Sequence, residues 1–461
     1  MRLGKRSFRA QIKSQIHLEF GDDRISSYAG LEIFRRYLLN IGFVRRLRHC
    51  DAEKGWRGDL RFASVVMLVV GAVLVGARRL RHLEYLEGDP LVHRFAEMPR
   101  LPRASSISRA LKKMSMPRLV DIDEISRFVV CDGLSNISLP RVTLDIDGSV
   151  VTTGQKVGGA TRGYNPHNRK NPSYYPITVM LAQTGHVWAQ RNRPGGVHDS
   201  HDADATLRNA VGQLRDELGH RGIVELRADS AFFAQHVLEA CDSTKIDYAI
   251  KVPMCSWLDI KTLIKKQQIW TSVSKEHQVE GFFACLPIDA WNRTERVAIL
   301  RTRRSRKPAK GFQLDLFNPD DGYWEHSVIA SNKSLGLSAL WKFMNGRGAQ
   351  EKTIAELKSG FAYDSVVTNN ETANAAWQKM AVLAHNISIS LQLSCAAPEK
   401  LRSAKRTTAF LIKAIATIRF EWLNRAARII RPQGRLAMRL SDSPMVREHY
   451  EKLDAHLAAA A

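Results

Sequence analysis

Two apolar, strand-like runs in the middle of the chain each lead into an aspartate, and this limits the fold more than any other feature. The first, Arg141–Ile146, runs into Asp147-Gly148-Ser149; the second, Ile223–Leu226, runs into Asp229-Ser230. Around them, further β-rich runs (Tyr175–Leu181, His186–Arg191, Tyr248–Val252) alternate with helical stretches (Ala203–Leu218, Ala231–Cys241), with Gly185 at a turn. The order β-β-β-α-β-α-β predicts a mixed α/β sheet whose first and fourth strands end in aspartate. In such sheets function gathers at the carboxyl ends of the strands.

The flanking sequence has a different texture. Residues 1–135 read as a helical domain: Leu31, Ile33, Phe34, Tyr37 and Leu38 recur with helical period, and an apolar run follows from Val65 to Ala77. Within it, Ser105 or Ser106 can cap a helix that exposes Ser108, Arg109, Lys112 and Lys113. A helix-turn-helix reader would present such a face to DNA, and so would a solvated bundle helix. Residues 136–254 hold the first part of the sheet domain. Residues 255–331 lack helical period, carry Trp257, Trp270, Trp291 and Trp324, and read as a β-rich insertion with a basic loop over 301–310. Helices resume over 332–394, and 395–461 reads as a basic helical tail with Arg419, Arg425, Arg428 and Arg431.

Charge speaks to partners. The 461 residues carry 69 Lys and Arg against 46 Asp and Glu, a net charge of +23 that is spread over the whole length. Nucleic acid is the expected partner, ahead of an anionic membrane surface, because no long basic amphipathic helix stands alone. The run from Val65 to Ala77 falls short of the roughly 18–20 apolar residues that cross a bilayer, so a buried core helix is expected. Met1 to Gln15 is basic with no apolar segment after it, so no secretory leader is expected. The six cysteines (Cys50, Cys131, Cys241, Cys255, Cys285, Cys395) show no CxxC pair, which excludes a zinc ribbon or disulfide frame and fits a reducing cytoplasm.

Against that basic background the acidic positions gain meaning. Asp147 stands where the backbone can bend at Gly148. Asp145 lies two residues earlier on the same strand face. Either could bind a metal, and Asp147 is favoured because the strand tip leaves room for an ion; a turn aspartate would also explain it. Asp229 can act as a helix N-cap or as a second metal ligand. A third acid, Glu351, lies on a helix where Arg347, Glu351 and Lys358 fall within about 40° of one another at 100° per residue. An ordinary charged face is the alternative, with Lys352 and Glu356 as an i,i+4 pair. Three convergent carboxylates can hold two divalent ions about 3.5–4 Å apart, as in-line phosphodiester chemistry requires.

Together these segments resemble a known family. Arg347-x3-Glu351-x6-Lys358 is similar to the Tyr-Arg-Glu-Lys signature of bacterial insertion-sequence DDE transposases, although Met344 stands where that signature has Tyr. Leu144-Asp-Ile-Asp147-Gly-Ser and Arg227-Ala-Asp229-Ser-Ala-Phe resemble the family's first and second acidic motifs. Leu101-Pro-Arg-Ala-Ser-Ser-Ile-Ser-Arg109 resembles a segment before its catalytic domain. Arg162-Gly163-Tyr164-Asn165-Pro166 resembles a loop of the insertion-sequence thirteen-eighty group. The resemblance spans roughly residues 30–440. It implies an RNase H-like core with a β-rich insertion between the second Asp and the Glu, and a dimer in the active DNA complex.

The expected protein is therefore a cut-and-paste DNA transposase. Asp147, Asp229 and Glu351 would hold two Mg²⁺ (Mn²⁺ is possible). Arg347 and Lys358 would grip phosphates near the cut, and Arg109, Lys112 and Arg162 would make further DNA contacts. The partners are double-stranded terminal inverted repeats and target DNA, with no membrane. Two rivals are a transposase-derived regulator without catalysis and a nuclease that cuts without joining. His198-Asp-Ser-His201-Asp-Ala-Asp204 contains metal-ligand types, but helix caps explain it without metal. Gly154–Lys170 reads as a phosphate-gripping or plain surface loop, not a P-loop.

Overall fold

The computed structural model describes residues 12, 15, 17–21, 24–54, 60–163, 165, 168, 170–305, 322–395 and 410–459. Residues 306–310 of the basic loop, Tyr164 and Pro166 of the Gly-Tyr loop, and 396–409 of the tail lie outside them.

Strands β2 (Arg141–Gly148), β5 (Ile177–Leu181), β6 (Val187–Arg191), β7 (Ile223–Ala228) and β8 (Asp247–Val252) form the heart of one sheet in the order β6-β5-β2-β7-β8, while β3 (Val151–Thr152) and β4 (Ser173–Tyr174) pair as a small sheet of their own. The first three run as an antiparallel meander, and β7 and β8 add parallel to β2. This is the RNase H-like arrangement. The crossovers to β7 and β8 pass through helices α7 (Ala203–Asp216) and α8 (Gln235–Thr244), as parallel neighbours require. β5 is buried at all five positions, as an apolar strand covered on both faces should be.

The β-rich insertion does not form a separate module. After the short helix α9 (Ile260–Lys266) come β9 (Thr271–Ser274), β10 (Val279–Ile288), β11 (Arg293–Ser305) and β12 (Gly322–Ser331). β12 pairs antiparallel with β8, so these four strands extend the same sheet to nine. Among their tryptophans, Trp270 and Trp324 sandwich the Arg301 guanidinium at 4.1 and 4.3 Å from the ring centres.

The amino-terminal helices α1 (Leu31–Asn40), α2 (Phe43–Lys54), α3 (Phe62–Val75), α4 (Pro90–Ala96), α5 (Ala104–Lys112) and α6 (Met116–Leu134) build a second core. In α1 the five residues picked out by period are the five that are buried. Thirteen of the fourteen residues of α3 are buried, which confirms a core helix. Among the described residues no single helix is long and apolar enough to cross a membrane; α3 and the 3₁₀ turn Leu80–Leu86 reach that length only across an 82° bend. The expected caps of α5 are corrected: it starts at Ala104, with Arg103 at the N-cap and no side-chain cap bond.

Helices α10 (Leu337–Asn345), α11 (Gly348–Phe361) and α12 (Glu371–Cys395) follow the sheet. α12 joins the two cores: Trp377, Met380 and Leu383 pack with the amino-terminal helices, Ile389 and Leu393 with the sheet. The tail also differs from its helical reading. After α13 (Ile415–Ile418), strands β13 (Ala427–Ile430) and β14 (Ala437–Leu440) form a hairpin around Pro432-Gln-Gly434, and β13 pairs with β1 (Ile25–Ser26). Pro432 breaks helical continuity there, and Ile429-Ile430 favours strand. Helix α14 (Pro444–Ala459) then packs beside α1. Arg419 fastens the tail to the core by donating to the Val73, Leu74 and Gly360 carbonyls.

Candidate active site

The register of two parallel strands builds the site. Asp145 of β2 lies opposite Arg227 of β7. Side chains alternate along a strand, so Asp147 and Asp229, two residues on, occupy the next rung of the same face.

The inner rung is a closed ion pair. Arg227 donates Nε and Nη2 to the two Asp145 oxygens, each at 2.7 Å, and Nη1 to the Phe343 carbonyl at 2.8 Å. Side-chain exposure is 7% for Arg227 and 1% for Asp145. Gly346 lets the guanidinium pass, since a Cβ there would lie 2.2 Å from Nη1. Asp145 is thus fully engaged by protein, which favours Asp147 of the two candidates in this strand.

The outer rung sets two carboxylates side by side. Strands are ~4.8 Å apart, and unit charges at that distance repel by roughly 3–4 kcal/mol at an effective dielectric of ~20. The compensating charge comes from Arg347, the N-cap residue of α11. Its Nη2 lies 3.2 Å from Asp147 Oδ2 and 3.6 Å from Asp229 Oδ2, and donates to the Ile146 carbonyl at 3.3 Å. The other Asp229 oxygen accepts from the Ala231 amide at 3.1 Å, so this residue is also the cap of a 3₁₀ turn. Burial lifts the Asp147 carboxyl to about 7; Arg347 pulls it down, and Asp229 and Asp199 push it up.

Lys358 reaches the same strand tip, donating Nζ to the Val150 carbonyl at 3.0 Å. Burial lowers its pKa, against the pull of Asp364 and Asp147. Glu351, one turn past Arg347, is exposed and makes no hydrogen bond or ion pair among the described residues. Glu356 is not its equivalent, nor is it paired with Lys352. It accepts from the Ile415 amide at 2.8 Å and ties α11 to the tail. Of the three acids of the signature, Asp147 and Asp229 share the Arg347 guanidinium, and Glu351 has no contact with either among the described residues. Among the described residues no three His, Cys, Asp or Glu side chains are grouped to hold an ion.

The remaining basic candidates lie on other elements. Arg109 and Lys112 are exposed on α5, with Arg109 Nη2 3.3 Å from Ser106 Oγ. Arg162 is exposed in a loop whose neighbour Gly163 presses on Gly195.

A second acidic contribution escaped the sequence reading. Asp199, in the loop before α7, accepts from the Tyr175 hydroxyl at 3.0 Å. A Cβ at Gly148 would lie 2.2 Å from Asp199 Oδ1, so this carboxylate abuts the residue after Asp147. The signal was present in the His198–Asp204 cluster, read there as helix caps. Asp202 is the N-cap residue of α7, but its side chain makes no cap bond.

A family model described as Transposase DDE domain group 1 matches residues 8–461. Among solved structures, the chain is similar to a piggyBac transposase synaptic complex with hairpin DNA, at 12% identity and a TM-score of 0.43, covering 94% of this chain and 85% of that one. It is also similar to a Mos1 transposase paired-end complex with left transposon end, at 10% identity and a TM-score of 0.18, covering 53% of this chain and 64% of that one. No curated protein matches the chain.

Proposed function

The chain belongs to the DDE transposase domain family, and on that premise we propose that it cleaves the ends of a mobile DNA element and joins them to target DNA by metal-dependent phosphoryl transfer. One observation carries this reading: two carboxylates stand at the tips of parallel strands and share a single guanidinium, that of Arg347. Such a pair has charge to spare for a divalent cation.

Asp147 and Asp229 would hold the ions, with Glu351 as the third carboxylate. The donor set is all oxygen, which suits Mg²⁺ and also Mn²⁺. When bound, two such ions activate the attacking oxygen and stabilise the leaving one. The chain's own residues supply the rest. Arg347 guards the carboxylate pair and, with DNA present, would pair instead with a phosphate beside the cut. Lys358 holds the Val150 turn and adds positive charge to the same approach. Arg109, Lys112 and Arg162 contact DNA away from the cut, α5 serving as a reader of the terminal repeat. The assembled form is a homodimer that brings two element ends together.

The test is a cleavage and joining assay with labelled duplex carrying the inverted repeats that bound the reading frame. Wild-type protein with Mg²⁺ should release 3′-hydroxyl ends and then produce joined products. Cleavage without joined products would reduce the protein to a nuclease. Specific binding with neither product would make it a regulator.

A further inference from the structure

Helix α11 carries both basic residues of the signature, Arg347 at its amino end and Lys358 in its last turn, so the seating of this helix decides where they stand. Its last four carbonyls, from Lys358 to Phe361, lie beyond the reach of the helix's own amides. Three of them accept from arginines that other parts of the chain supply. Arg78 donates Nη1 to the Lys358 carbonyl at 3.0 Å and to the Ser359 carbonyl at 2.6 Å, and Nη2 to Asp364 Oδ1 at 3.0 Å. Arg419 of the tail donates to the Gly360 carbonyl at 2.7 Å.

The joint lies between two helix ends. Arg78 stands two residues past Gly76, the left-handed residue that closes α3. Arg419 also donates to the Val73 and Leu74 carbonyls at the end of α3. Both helices thus present negative carboxyl ends to the same two guanidiniums, which offset the like charge. Gly360 lets the tail close in, since a Cβ there would lie 2.6 Å from Ile415 Cγ2.

Lys358 is held at two points. Arg78 fixes its carbonyl from the amino-terminal domain, and its own Nζ reaches the Val150 carbonyl beyond the end of β2. A shift of the backbone here carries the ammonium with it, and misplacement by about 1 Å can cost on the order of 10²-fold in rate.

We infer that Arg78 is a positioning residue for Lys358: by gripping that residue's own carbonyl from the amino-terminal domain, it sets where the Lys358 ammonium stands beside the β2 strand tip. The inference rests on the proposed role of Lys358 as a phosphate contact near the cut. It makes the end of α3 the point where the amino-terminal helices are registered on the site, and it asks no DNA contact of Arg78 itself.

The experiment is a double-mutant cycle in the full-length protein, with duplex carrying the inverted repeats. It reads the single-turnover cleavage rate at saturating duplex with Mg²⁺, and the slope of log affinity against log salt, with thermal unfolding in parallel. Lys358→Met should slow cleavage and flatten the salt slope by about one unit, as loss of one phosphate contact does. Arg78→Gln should slow cleavage by roughly 10-fold to 100-fold and flatten the slope by a similar amount. The double variant should be no worse than Lys358→Met on either measure, because one residue acts through the other. Losses that multiply in rate, or add in slope, overturn the inference, since Arg78 would then act on DNA or on the fold by itself. Wild-type values in Arg78→Gln beside a loss in Lys358→Met overturn it too. Wild-type values in Lys358→Met would sink the role of Lys358, and the inference with it. Because the slope needs no cleavage, a protein that binds ends without cutting them fails the proposed function and still tests this inference. Should Arg78→Gln fail to fold, Arg78→Lys keeps the charge but lacks the planar fork that reaches both carbonyls and Asp364. It should give a smaller loss that again vanishes in the Lys358→Met background; wild-type behaviour there overturns the inference as well.

Discussion

Asp145 and Asp147 share one strand and one face, yet their surroundings divide them. The inner carboxylate meets a dedicated arginine on the neighbouring strand in two 2.7 Å bonds and is sealed from water. The outer one faces a second aspartate, shares an arginine from a distant helix at 3.2 Å, and keeps 19% of its side chain exposed. The inner pair is satisfied and offers a ligand nothing. The outer pair is under-compensated and reachable. Two residues of strand therefore separate an interaction that holds the sheet from one that can do chemistry.

The sharpest way to break this contrast is to exchange the roles. Asp147→Asn and Asp229→Asn should each lower end cleavage by on the order of 10³-fold or more while the protein stays folded. Asp145→Asn should act mainly on stability. It strands a buried guanidinium, which typically costs about 3–5 kcal/mol, read as a drop in the denaturation midpoint. If Asp145→Asn abolished cleavage in a protein of normal stability, while Asp147→Asn cut normally, the two rungs would have to be reassigned.

Arg347 gives a smaller and opposite effect. In the DNA-free protein its guanidinium competes with any cation for the aspartate pair. Arg347→Gln should therefore tighten Mn²⁺ binding at pH 8 by roughly tenfold, the effect of a unit charge nearby at partial exposure, while slowing cleavage because a phosphate contact is lost. Isothermal titration on protein without DNA checks the first half. Weaker binding in the variant would mean that Arg347 organises the carboxylates and does not guard them.

Much of this site was legible in the sequence, and what was not has a common cause. The strands and the apolar helix α3 follow from local period and composition, whereas the bend expected at Gly148 does not occur there, because β2 runs through it and pairs it with Ile177. The choice between Asp145 and Asp147 does not follow from either, because alternate residues share a face and the deciding partner, Arg227, arrives through the register of a strand 82 residues on. Asp199 was hidden for the same reason: its importance lies in a close approach to Gly148, and its own loop reads like a capping segment. The tail was misread as all helix because β13 finds its partner in β1, some 400 residues earlier. Glu351 was singled out by helical spacing and by the resemblance, and in the structure it is an exposed residue on α11 that contacts neither aspartate among the described residues.

Proton competition gives the mildest test of the comparison. Burial, helped by Asp229 and Asp199, raises the Asp147 carboxyl to about 7 despite Arg347. Its ordinary value is 3.8, so the metal-free fold holds this proton more tightly than the unfolded chain does. The contribution to stability is complete in acid below that ordinary value and is lost as the pH rises through about 7. A divalent cation works in the other direction, because it needs the ionised carboxylate and must expel the proton. Mn²⁺ affinity should thus be flat above about pH 7 and fall by roughly tenfold per unit below it. Mn²⁺ titrations from pH 5.5 to 8.5 measure this directly. A profile flat down to pH 5.5 would mean that the outer carboxylate ionises as an ordinary surface group, and the electrostatic distinction between the two rungs would be lost.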